Sequence, residues 1–103
     1  MPTSEDHPKW DVALASLALD EQRRKTTPLT LEDFGRLASE YRIRLDDIME
    51  TMFLLVIHGQ WEYLDASGKA QALDRQTLDR LYVKGRLAAD DLAAFDGGWR
   101  PLR

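Results

Sequence analysis

At Gly59 the hydrophobic pattern changes period, from the three-to-four spacing of helices to the alternation of strands. Only a chain that passes from helices into a hairpin satisfies both halves. Before that point Trp10, Val12, Ala13, Leu14, Leu17 and Ala18 recur at helical spacing and predict a first helix over 10–24, closed by Arg23, Arg24 and Lys25 where the helix dipole favours cations. Thr26-Thr27-Pro28 breaks it, because Pro28 lacks a backbone donor and pushes Thr27 out of the helical region. Thr30 then reads as an N-cap with Asp33 three residues on, which starts a second helix over 31–41. After Arg42-Ile43-Arg44, a third helix over 45–57 opens on Asp46 and Asp47 and stops at Gly59.

Beyond Gly59 the residues Trp61, Tyr63 and the pair Ala70/Ala72 flank Asp65-Ala66-Ser67-Gly68, a turn sequence between two short strands at about 60–64 and 69–73. Asp74 can cap a fourth helix with Leu78, Leu81 and Tyr82 inward, ending at Lys84-Gly85. A last short helix over 88–95 turns Leu92 and Phe95 inward and is stopped by Gly97-Gly98. Residues 1–9, polar and with two prolines, read as a flexible leader, 10–98 as one domain, and 99–103 as a tail. The expected core includes Phe34, Leu37, Ile48, Met52, Leu55 and Leu81.

The order helix, helix, helix, hairpin, helix resembles the winged helix-turn-helix superfamily, and Thr30 to Leu73 carry the likeness. Leu37-Ala38, Tyr41, Ile43 and Ile48 match the apolar positions around that family's turn, and Gly59 follows Ile48 at the distance from which the family enters its wing. Arg42 departs from the pattern by standing where glycine is usual. The resemblance implies a mainly α single domain with a small β-hairpin, and a third helix that reads DNA.

The chemistry of that helix argues for a different partner. Asp46, Asp47 and Glu50 would meet phosphates with like charge, and the chain's net charge of −4 is the wrong sign for an extended basic surface. Leu45, Met49 and Phe53 form a second apolar stripe, opposite the core-facing Ile48, Met52 and Leu55. Its cover is either the chain's own first helix or C-terminal helices or, where these leave it bare, a protein partner or a second copy in a homodimer. The alternative is a small DNA-binding transcriptional regulator, with Arg42, Arg44 and, at the hairpin tip, Lys69 as its phosphate contacts.

Nothing points to an enzyme. With no cysteine and only His7 and His58, disulfides and thiolate metal sites are excluded and a histidine metal site has too few ligands. Asp65-Ala66-Ser67-Gly68 lacks the later ligands of a calcium loop, and Asp90-Asp91 reads as dipole compensation at a helix start. Gly97-Gly98 follows a helix and does not cradle a phosphate, so no cofactor or small-molecule substrate is indicated. The longest apolar run, Met52 to Ile57, falls far short of the roughly 18 residues of a membrane span, which makes the cytoplasm the expected compartment.

Overall fold

The computed structural model describes residues 10–83, 86–87 and 92–102. The leader expected over 1–9, the turn Lys84-Gly85 and the start of the helix expected at 88 lie outside the described residues. The order of elements is α1 (Val12–Lys25), α2 (Leu31–Tyr41), α3 (Leu45–Ile57), β1 (Trp61–Leu64), β2 (Ala70–Gln71), α4 (Arg75–Leu81), β3 (Tyr82–Val83), β4 (Arg86–Leu87) and β5 (Gly98–Pro101). The molecule is mainly helical with a small three-stranded antiparallel sheet, in a winged-helix-like arrangement.

Local chemistry places each boundary. The Asp11 side chain accepts from the Leu14 amide at 3.1 Å and starts α1. At α2 the capping box is complete: the Asp33 carboxylate accepts from the Thr30 amide at 2.9 Å, and the Thr30 hydroxyl accepts from the Asp33 amide at 3.4 Å. Arg42 ends α2 in the left-handed region at φ 55°, so this turn is built without the expected glycine. Gly59, at φ 77°, ends α3 and lets the Gln60 amide return to the Leu55 carbonyl. In the β1–β2 turn one oxygen of Asp65 accepts from the Ser67 amide at 2.9 Å and the Lys69 amide at 3.0 Å, while Gly68 takes φ 86°. Asp74 caps α4 by accepting from the Thr77 amide at 2.8 Å.

The sheet runs β2-β1-β5, with Tyr63 opposite Gln71 on one side and opposite Trp99 on the other. The tail expected at 99–103 is therefore corrected over Trp99–Pro101. Trp99 is wholly buried, and a ring of that size contributes more in the core than any terminal disorder it restricts. Two further expectations change. The helix that begins after Asp74 stops at Leu81, and aromatic Tyr82 with β-branched Val83 pairs instead with Leu87 and Arg86. At the end of the expected last helix, Ala93–Phe95 form a single 3-10 turn.

The core gathers around α3. Phe34, Leu37, Ile48, Met52, Leu55 and Leu81 are buried as expected, joined by Leu29, Trp61, Tyr63, Leu78, Leu92 and Trp99. Two glycines let the C-terminal strand close on this core. A Cβ at Gly97 would overlap the Leu64 carbonyl oxygen, and one at Gly98 would come within 2.6 Å of Pro28 Cβ.

Candidate functional site

The third helix is enclosed rather than presented. From Ile48 to Leu55 every residue except Glu50 is buried. Met49 and Phe53 are at 0% exposure, and Leu45 is half-buried against the core. The edge of the Phe53 ring meets Phe95 at 5.0 Å between centroids and Trp99 at 5.3 Å. Of the stripe Leu45, Met49, Phe53, for which cover by the chain's own helices and cover by a partner were both open, Met49 and Phe53 are buried within the chain, Phe53 against its C-terminal segment, and Leu45 is left half-buried. A helix stretch that is apolar on two sides needs cover on both, and the middle of α3 has it.

The three basic residues of the alternative reading are all exposed but do not share one element. Arg42 and Arg44 flank Ile43 in the α2–α3 connection, where Arg44 pairs with Asp46 at 3.1 Å. Lys69 lies on the β1–β2 hairpin.

Beside α3 an open groove of about 420 Å³ runs between that helix and the start of α1. Its floor is apolar, made by Leu14, Ile43 and Leu54. Its walls are Trp10 and Asp11 on one side, and Asp47 and Glu50 on the other. Asp47, Glu50, Thr51 and Leu54 reach it together because residues three, four and seven apart share one helix face. Among the described residues neither the Asp47 nor the Glu50 carboxylate pairs with a cation. Thr51, 3% exposed, also lines the groove, and among the described residues no hydrogen bond engages its hydroxyl. The Trp10 ring leans on His58 at 5.9 Å, which fixes the aromatic wall against the end of α3. Among the described residues no group of three His, Asp or Glu side chains converges closely enough to hold a metal ion.

A second polar cluster, between α1 and α2, is internally satisfied. Glu21 is buried on α1 and accepts from both Arg24 and Arg36; Lys25 pairs with Asp33 and donates to the Pro28 carbonyl. Bonding to Arg36 holds the Glu21 carboxyl below its usual range despite the opposing effect of burial. Burial pushes the Asp33 carboxyl up, and the bonds from Lys25 and Thr30 more than reverse it. Glu21 falls seven residues after Leu14 and three after Ala18, which puts it on the inward face of α1, a spacing that could have marked it in the sequence.

Two other groups are strongly placed without forming a site. Burial raises the Tyr63 hydroxyl's pKa, and that oxygen accepts from the Gly97 amide at 3.1 Å. The Trp99 indole nitrogen is buried with no acceptor among the described residues, among the rings of Phe34, Phe53 and Tyr63. An aromatic face is a weak acceptor, so the surroundings soften the cost of that donor.

No family model matches the chain, and no curated protein or solved structure matches it. Among the described residues no helix is long and apolar enough to cross a membrane.

Proposed function

We propose that the chain is a non-enzymatic, winged-helix-type module that binds a protein partner. The observation that carries this reading is the state of α3: its middle is buried on both apolar faces, and the polar side chains it turns to the groove, Asp47 and Glu50, are acidic. A helix that reads DNA offers a polar face to the major groove and cations to the flanking phosphates. With Met49 and Phe53 inside the core, α3 lacks such a face, and its exposed end repels phosphate. A groove with an apolar floor and unpaired acids on its walls suits a polypeptide instead. The cytoplasm as compartment belongs to this proposal and rests on sequence alone.

The competing reading, a small DNA-binding regulator, draws on exposed Arg42, Arg44 and Lys69. Binding to mixed-sequence duplex DNA at low and moderate salt separates the two. A protein held by several phosphates loses on the order of 10³-fold in affinity between about 50 and 200 mM salt. The proposal expects no measurable duplex binding at either concentration; tight, salt-steep binding that Arg42→Ala and Arg44→Ala abolish would replace it with the DNA reading.

A further inference from the structure

We infer that the groove between α1 and α3 is a docking site for a basic segment of a partner protein, seating a lysine or arginine side chain against Trp10 and between Asp11, Asp47 and Glu50. The inference rests on the protein-binding reading above and names the partner's chemistry.

Three independent features of the groove converge on an organic cation. Two of its three acids lack internal partners: Asp47 and Glu50 pair with no cation among the described residues, while Asp11 accepts from the Leu14 amide. Its aromatic wall, Trp10, gives a cation the side-chain type whose face attracts it most strongly. Thr51, a residue 3% exposed, adds a hydroxyl that lines the groove and that no group among the described residues engages. That hydroxyl is not among the buried polar atoms left without a partner, so it opens onto the groove, where it can accept from a ligand donor in place of water.

Size and spacing decide which cation. The carboxylates do not converge as metal ligands do. About 420 Å³ is room for a long side chain with its neighbouring backbone, and the apolar floor of Leu14, Ile43 and Leu54 matches the methylene stem that lysine and arginine lay along apolar surface. The chain's own first nine residues are a poor occupant, since Glu5 and Asp6 outweigh Lys9.

The test is titration of the full chain with a short capped peptide containing Arg-Lys-Arg, followed by the NMR signal of the Trp10 indole N–H, with an all-glutamate peptide as counterpart. The proposal expects the basic peptide alone to shift that signal, and Asp47→Asn/Glu50→Gln to weaken binding about tenfold as two charge-assisted contacts are lost. Asp20→Asn/Glu32→Gln, which removes the same charge outside the groove, is expected to change affinity less than about twofold, as exposed ion pairs contribute little. Thr51→Val keeps the shape and all charges, so it carries the test should the double variant fail to fold; it is expected to weaken the peptide about threefold without lowering the melting temperature. Equal weakening by both double variants, an unmoved Trp10 signal at millimolar peptide, or a dimer that dissociates on Asp47→Asn/Glu50→Gln would each overturn the proposal. If the peptide fails while duplex DNA also fails to bind, only this site falls and the protein-binding reading stands.

Discussion

Leu29 and Trp99 exchange both of their backbone hydrogen bonds, each amide donating to the other's carbonyl at 2.8 Å. This one bridge ties the connection between the first two helices to the C-terminal strand. It also explains why both residues are at 0% exposure: each closes the core over the other's backbone.

The first prediction follows from that closure. Trp99→Ala is expected to cost about 3–5 kcal/mol, since a fully buried aromatic is removed from among three other rings. That is a large share of the roughly 5–15 kcal/mol by which small domains are stable. Urea unfolding measures it, and a loss below about 0.5 kcal/mol would return residues 99–103 to the status of a tail.

The two faces of α3 should respond alike. Leu55→Ala, on the face expected to be core, should cost about 2–5 kcal/mol, and Phe53→Ala, on the opposite face, about 3–5 kcal/mol. If Phe53→Ala instead leaves stability within about 0.5 kcal/mol and changes the solution mass, the stripe is an interface after all.

Arg42 holds a left-handed conformation that costs a residue with a Cβ about 1–2 kcal/mol, partly offset by the greater entropy glycine loses on folding. Arg42→Gly is therefore expected to stabilise the protein by about 0.5–1 kcal/mol. A destabilised Arg42→Gly protein in the same urea titration would mean that the arginine side chain makes a contact worth more than the strain.

Acid should weaken this protein through its hydrogen-bonded carboxylates. Asp65 is held at about 2 by bonds from the Ser67 hydroxyl, the Lys69 amide and the Gln71 side chain, and Asp74 is lowered by the Thr77 amide and hydroxyl. A carboxyl with a lowered folded-state pKa contributes stability above its unfolded value, near 4, and loses it as pH falls towards the folded value. Stability is thus expected to decline from about pH 4 to about pH 2, and Asp65→Ala to show a shallower decline from a lower starting point. Parallel pH profiles for the two proteins would remove Asp65 from the account.

Much of the helical frame was legible because its signals are local. Thr30 with Asp33, Asp46 with Asp47, and Gly59 each mark a boundary through chemistry confined to one turn, and the ends of α2 and α3 follow them. The hairpin was legible for the same reason, in the Asp65–Gly68 turn. What was not legible depends on contacts distant in sequence. No pattern within five C-terminal residues shows that Trp99 will pair with Tyr63 and Leu29, and without that strand Phe53 reads as bare. The candidate groove is hidden likewise, since Trp10 and Asp11 meet Asp47 and Glu50 only after α1 packs on α3.

The enclosure of α3 is the claim on which the functional reading turns, and the lack of cysteine in this chain makes it directly measurable by thiol labelling of single-cysteine variants. In the folded protein Asp47→Cys should label nearly as fast as it does when unfolded, because position 47 is exposed, whereas Met49→Cys, two residues along the same helix, should be protected until the protein unfolds. Fast labelling of Met49→Cys under conditions where the protein remains folded would contradict the enclosed helix and restore α3 as a presented face.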